Sequence, residues 1–291
     1  MTRILYGKEV AELVKENNLQ KANQLRAQNI IPRLGIIRVG ERPDDLYYQK
    51  SLEKVCAAAN VDCRLTPLAE KVEQTALEKA ISTLSADSDV HGILLFNPLP
   101  RHLDSKKAKE LISPLKDVDC LTKASAANVF TDEPESFAPC TAAAVMELLQ
   151  HYQLPLAGKR VTIVGRSLVV GKPLAMLMMK ENATVTICHS RTKDLPGVCR
   201  EADILVAAIG KAQLIDHNYV KKGQIVIDVG INPHPHKTGH ICGDLDYDNI
   251  LPIVEAITPV PGGVGSVTSS ILLRQTIQAC QKIQQLVKKQ C

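Results

Sequence analysis

Several features that would direct the reading of a 291-residue chain are missing from this one. No apolar run approaches the length of a membrane helix, and residues 1–8 hold no apolar core of a secretory signal, so a cytoplasmic protein with no membrane partner is expected. There is no CxxC pair. The nine cysteines, at positions 56, 63, 120, 140, 188, 199, 242, 280 and 291, follow no repeating spacing and sit mostly in apolar runs. They read as reduced core thiols, and Cys188-His189 with Cys242 lacks the second close pair that a zinc site needs, so no metal is expected. A net charge of +4 carried by scattered basic residues offers no patch for nucleic acid. Internal repeats and low-complexity tracts are absent as well.

Helix and strand signals alternate along the chain. Helical spacing over 8–29 precedes a strand-like 34–39, then helix over 44–60, a short strand at 63–65, helix over 72–84 and a buried strand at 92–96. Residues 114–137, with the acidic Asp132-Glu133-Pro134-Glu135, read as an exposed connection. A helix over 141–153, capped by Thr141, leads to a second series of strands at 161–164, 183–188, 202–210 and 224–232, and a last helix covers 269–289. The fold class expected is α/β, with two domains, each a mainly parallel sheet covered by helices, and a cleft between them. The first domain spans 1–140 and the second, of Rossmann type, 141–268.

The start of the second series carries chemistry. Val161-Thr162-Ile163-Val164 is a β-branched run, Gly165-Arg166-Ser167 is a turn, and Gly171-Lys172-Pro173 opens an amphipathic stretch: strand, phosphate turn and helix start in order. Ser167 stands where a GxGxxG fingerprint has its second glycine. After the next strand, where NAD-binding folds place an acid on the ribose, the chain reads His189-Ser190-Arg191-Thr192. With no carboxylate to repel a 2′-phosphate, Ser190 and Arg191 favour NADP over NAD; alternatively, Ser190 or Thr192 serves the turn itself.

Two further loops follow strands. Gln224 to Asn232 is a nearly continuous apolar strand ending in Gly230-Ile231-Asn232, as in a buried parallel sheet whose ligands sit at carboxyl ends. Thr258-Pro259-Val260-Pro261-Gly262-Gly263-Val264-Gly265 is stiffened by prolines and stripped of side chains by glycines, which lets a flat ligand lie against bare backbone.

Taken together with Val39-Gly40, Tyr48, Pro98-Leu99-Pro100, Lys116-Asp117-Val118-Asp119, Pro139-Cys140-Thr141 and Gly243-Asp244-Leu245-Asp246, these motifs closely resemble the bifunctional methylenetetrahydrofolate dehydrogenase/cyclohydrolase family over nearly the whole chain. The resemblance implies an NADP-dependent oxidoreductase of one-carbon folate metabolism that forms homodimers and also hydrolyses the methenyl product. It implies that the terminal helix packs back on the first domain. By matched position, Tyr48 lines the folate site, Asp119 hydrogen-bonds the pterin, Pro261, Gly262 and Gly263 close over the substrate, and Gly165, Arg166, Ser167, Ser190, Arg191 and Ile231 hold the cofactor. A shikimate-type dehydrogenase shares this two-domain plan but requires a lysine and aspartate pair that the first domain does not offer.

The same comparison exposes departures. The family's first domain carries Tyr-x-x-x-Lys, whose lysine moves the proton in the hydrolytic step; here the fourth residue after Tyr48 is Leu52. Lys50 and Lys54 lie on other helix faces. The family's glutamine is Phe96, its serine before the tyrosine is Asp45, its glycine after Asp119 is Cys120, and the loop ends in Ser266 and Val267 instead of proline and methionine. Leucine and phenylalanine transfer no protons, so the cyclohydrolase step is expected weak or lost. The alternative is an NADP-binding paralogue with another substrate or a regulatory role.

Overall fold

The computed structural model describes residues 1–133 and 136–290. Pro134 and Glu135 of the acidic connection, and the thiol at Cys291, lie outside the described residues. The chain runs β1 (Arg3–Ile4), α1 (Gly7–Arg26), β2 (Arg33–Val39), α2 (Pro43–Ala58), β3 (Asp62–Leu68), α3 (Gln74–Ala86), β4 (Gly92–Leu95), α4 (Ser105–Lys109), α5 (Lys123–Phe130) and α6 (Cys140–His151). There follow β5 (Arg160–Val164), α7 (Gly171–Lys180), β6 (Thr184–Cys188), α8 (Leu195–Glu201), β7 (Ile204–Ala207), β8 (Ile225–Asp228), β9 (Asn232–Pro233), β10 (Ile241–Cys242), α9 (Tyr247–Ile250), β11 (Ala256–Ile257) and α10 (Gly265–Gln290).

The fold is two-domain α/β with parallel main sheets. One compact unit comprises Leu13–Cys140 and the chain from Ser269 on; the other comprises Met1–Glu12 and Thr141–Thr268. In the former, three parallel strands are ordered β3-β2-β4. Ile37, Val39, Ile93 and Leu95 face α3 and pack on its Leu77, Ile81 and Leu84, each worth about 1.5–3 kcal/mol for full burial. On the opposite face Arg38 reaches α2.

The other unit holds a six-stranded parallel sheet ordered β1-β11-β8-β7-β5-β6. Its β7 is buried throughout, which explains the unbroken apolar run Ile204–Ala207. A short antiparallel pair, β9 with β10, follows the carboxyl end of β8.

Four expectations need correction. Residues 1–12 were expected with the first sheet, but β1 pairs with β11 and so belongs to the second. Residues 114–137 are not a plain exposed connection: α5 forms there, capped by Thr122, whose hydroxyl accepts from Ser125 N–H at 3.1 Å, and Lys116, Asp117, Val118 and Val129 are buried. Thr141 is inside α6, which starts at Cys140, so it is not the cap. α10 starts at Gly265, four residues earlier than expected. Cys63 and Cys120 are only partly buried, unlike the other described thiols. No helix among the described residues is long and apolar enough to cross a membrane.

Candidate functional site

α2 is built to present Tyr48. Pro43 pre-sets the first turn, Asp44 and Asp45 put negative charge at the positive end of the helix dipole, and Arg42 grips the Asp45 carboxylate at 2.8 and 2.9 Å. Gln49, Leu52 and Cys56 form the buried stripe of the helix, so the leucine in the lysine position is wholly enclosed, while Lys50 and Lys54 are exposed. Tyr48 keeps 38% of its surface open, and its ring packs on Phe96 with centroids 5.3 Å apart and planes tilted by 39°. Burial of the phenol pushes its pKa up, the Asp119 carboxylate and Cys140 thiol push it further, and Ser269 of α10 offsets part of this. The phenol therefore stays protonated at neutral pH.

Asp119 is held in place by its neighbours. The buried Asp117 carboxylate accepts from Leu121 N–H at 2.7 Å and Thr122 N–H at 2.8 Å, closing the turn that carries Asp119. Cys120 has a left-handed φ of 55°, the conformation that suits the family's glycine. Cys140 N–H donates to Asp119 at 3.1 Å, and Gln275 of α10 donates to the Val118 and Ala138 carbonyls at 2.6 and 3.0 Å. Desolvation raises the Asp119 carboxyl; the hydrogen bonds from Cys140 and a weak pull from Lys109 oppose it. Tyr48, Phe96 and Asp119 thus form one wall of phenol, phenyl and carboxyl, able to hold a flat ring and hydrogen-bond its edge.

The sequence reading missed Arg38. Its guanidinium is 5% exposed, donates to Gln49 Oε1 at 2.8 Å and to the Gly40 carbonyl, while Gln49 donates to Glu53 at 2.9 Å. An arginine interrupting the apolar run 34–39 was the available signal. A guanidinium is a fork of donors with no acceptor, and here two of its donors are spent on Gln49 and Gly40 under α2.

In the other unit, the expected residues gather at the carboxyl edge of the six-stranded sheet. Gly165 has φ 136°, and a side chain there would collide with the Ala208 carbonyl. Its N–H donates to the Cys188 carbonyl at 2.9 Å, which sets the Gly165 turn beside the turn after β6. Ser167 Oγ accepts from Val170 N–H at 3.1 Å and its carbonyl accepts from Lys172 N–H at 3.1 Å, folding the chain into α7. In the neighbouring turn Thr192 Oγ1 accepts from His189 N–H at 2.9 Å, and His189 Nδ1 from Arg191 N–H at 3.1 Å. Thr192 is therefore the turn residue, while Arg166, Ser190 and Arg191 are exposed. Leu168, Val169 and Ile231 are exposed apolar residues on the same edge, Ile231 by 63%. Bare backbone, a hydroxyl, a guanidinium and apolar surface suit a dinucleotide bearing an extra phosphate.

Two buried carboxylates shape these loops. Asp244 accepts from the N–H groups of Ile209, Gly210 and Lys211 at 2.6, 3.1 and 2.8 Å and from Asn232 at 2.9 Å. Asp228 accepts from Gly230, Asp244 and Leu245 N–H at 2.9, 3.0 and 3.0 Å; burial lifts it to about 6 against those bonds. The proline-glycine loop is only partly bare: Pro261 is exposed and Gly262 has φ 106°, but Gly263 is buried against Gly7, whose N–H donates to the Gly262 carbonyl at 2.8 Å. Part of its glycine content therefore serves packing against the start of α1.

Two family models match the chain: tetrahydrofolate dehydrogenase/cyclohydrolase, catalytic domain, over residues 5–119, and tetrahydrofolate dehydrogenase/cyclohydrolase, NAD(P)-binding domain, over residues 139–284. The bifunctional protein FolD of Carboxydothermus hydrogenoformans is 53% identical over 99% of this chain and 100% of its own. Among solved structures, the bifunctional enzyme FolD of Campylobacter jejuni superposes with a TM-score of 0.94 at 36% identity, covering 97% of this chain and 99% of that one. The Trypanosoma brucei methylenetetrahydrofolate dehydrogenase-cyclohydrolase, complexed with NADP cofactor and inhibitor, gives 0.91 at 35% identity over 97% and 98%.

Proposed function

The chain belongs to the tetrahydrofolate dehydrogenase/cyclohydrolase family, and from that premise we propose that it is an NADP-dependent methylenetetrahydrofolate dehydrogenase whose methenyltetrahydrofolate cyclohydrolase step is very weak or lost. The unit Leu13–Cys140 with the chain from Ser269 on takes the folate, and the unit Met1–Glu12 with Thr141–Thr268 takes the dinucleotide. It works as a homodimer in the cytoplasm, as the family resemblance implies.

When bound, NADP would supply the acceptor for a hydride from the substrate's methylene carbon. Gly165, Arg166 and Ser167 would hold its pyrophosphate, Ser190 and Arg191 its 2′-phosphate, and Ile231 its nicotinamide end. Tyr48 and Phe96 offer the folate ring an apolar face, and Asp119 fixes the ring's edge. Orientation of this kind is what hydride transfer asks of the protein.

Hydrolysis of the methenyl product asks for more: a proton must be moved as water adds. The observation that carries the proposal is that the face of α2 one turn beyond Tyr48 is buried hydrocarbon, Leu52, and that Phe96 covers the phenol. The groups that raise the Tyr48 phenol are the Asp119 carboxyl and the Cys140 and Cys56 thiols, all of them acids, and burial keeps both thiols protonated. A missing general acid or base costs about two to four decades of rate.

Methylenetetrahydrofolate and NADP supplied together are expected to give NADPH and methenyltetrahydrofolate in equal amounts, with formyltetrahydrofolate appearing at the rate of the buffer. Formyltetrahydrofolate accumulating as fast as NADPH contradicts the proposal. No turnover at all, with NADP still raising the melting temperature, supports instead a cofactor-binding relative with another substrate.

A further inference from the structure

Two cysteines meet where α2 turns into β3. The helix closes on Asn60, at a left-handed φ of 53°, with Val61 N–H donating to the Cys56 carbonyl at 3.0 Å and Asn60 N–H to the Ala57 carbonyl at 3.2 Å. This closure turns the chain straight back on the helix, and β3 starts at Asp62. Register then fixes which side chains look at α2. Because Arg38 reaches Gln49, the residues Leu34, Ile36 and Arg38 of β2 point toward that helix. Cys63 is the register partner of Leu34 and shares its face. Cys56 ends the buried stripe of α2. The sulfurs therefore approach from facing surfaces, and each thiol acts on the other's ionisation.

We infer that Cys56 and Cys63 form an oxidisable dithiol that a hydroperoxide closes to a disulfide, with Cys63 as the attacking sulfur. Cys63 is partly open to solvent, whereas Cys56 is 1% exposed. Cys56 favours the Cys63 thiolate and keeps its own proton. This combination of an accessible, readily ionised thiol beside a resolving partner is the one oxidation selects. The other described thiols are pushed the opposite way by burial, Cys120, Cys199 and Cys280 to about 12, and Cys140, Cys188 and Cys242 also upward.

The Cys63 thiolate attacks the peroxide, the O–O bond breaks, and the products are a sulfenic acid and an alcohol, or water from hydrogen peroxide. The Cys56 sulfur then attacks the sulfenic sulfur; the S–S bond forms and the hydroxyl leaves with the Cys56 proton as water. Two thiols lose one electron each, and the peroxide gains both. The bond ties the end of the helix that carries Tyr48 and Leu52 to β3. This inference stands apart from the folate reading.

Trypsin releases both sulfurs in a single peptide, Val55–Arg64, cut after Lys54 and Arg64. After hydrogen peroxide, iodoacetamide and digestion, this peptide is expected unalkylated and lighter by two hydrogens, and dithiothreitol is expected to restore alkylation. In Cys56→Ser, dimedone is expected to trap a sulfenic acid on Cys63; in Cys63→Ser, no such adduct forms. A peptide with both thiols alkylated after peroxide, or with Cys63 driven to sulfinic acid and no linked form, overturns the inference. Should a variant not fold, the wild-type peptide alone decides.

Discussion

At the scale of single residues, the proposal contrasts Ser190 and Arg191 on the edge of the six-stranded sheet with Leu52 on α2, where the family has a lysine. Arg191 is exposed beside Ser190 on a turn with no carboxylate, so its guanidinium is free to meet a 2′-phosphate. Arg191→Ala is expected to raise the KM for NADP about ten- to a hundredfold, the worth of a charge-assisted hydrogen bond, with kcat little changed. Steady-state kinetics with NADP and NAD side by side check this; equal effects on both cofactors contradict it. Leu52 is fully buried, so Leu52→Lys alone places an ammonium in hydrocarbon and costs stability. Paired with Phe96→Gln, which opens the space against Tyr48, it is expected to raise methenyltetrahydrofolate hydrolysis by about two to four decades. A folded double variant without that gain moves the cause to Cys120, Ser266 or Val267. Cys120 also stands at a left-handed φ of 55°, and Cys120→Gly is expected to add about 1 kcal/mol of stability, read as a rise in melting temperature.

At the scale of elements, burial creates a titration that the helices and strands must tolerate. His91 precedes β4, is 4% exposed, and its Nδ1 accepts from the Arg33 N–H at 3.2 Å. Burial first, then the charges of Lys116 and Arg33, lower it to about 4, against about 6.5 for a free imidazole. Because the folded value is depressed, the unfolded chain takes up the proton first; this contribution to stability is intact above about pH 6.5 and is lost as pH falls toward 4. His91→Asn keeps an acceptor that does not titrate, and melting curves across that window are expected to fall less steeply than those of the wild type. A parallel fall in both excludes His91 as the source. Elements were legible where periodicity was clean: the stripe of α3, the apolar run of β7 and the strand, turn and helix of β5 to α7 are all readable from residue spacing. β1 was not, because a two-residue strand has no period and its partner β11 lies some 250 residues away. α5 was hidden because its signal, Thr122 as cap, sits in a stretch whose burial comes from Asp117 and Gln275, contacts that spacing does not encode. The buried pair Asp228 and Asp244 showed as motif letters, but their seven backbone and side-chain acceptances depend on loops from β7, β8 and β10 coming together.

At the scale of the whole molecule, both units keep the fold of the family while the chemistry expected of one of them has narrowed. Tyr48, Asp119 and Cys140 remain and are hydrogen-bonded into place, so the folate wall still has its shape. Leu52 puts no ammonium on that face of α2, and Arg38 does not replace it, since its guanidinium is taken by Gln49 and Gly40. The most direct measurement is the decay of methenyltetrahydrofolate with the wild-type protein, in the absence of NADP and against a buffer blank, on the same sample in which NADP reduction by methylenetetrahydrofolate has been timed. The account expects steady NADP reduction and a methenyl decay indistinguishable from the blank. Enzymatic decay as fast as NADP reduction contradicts it.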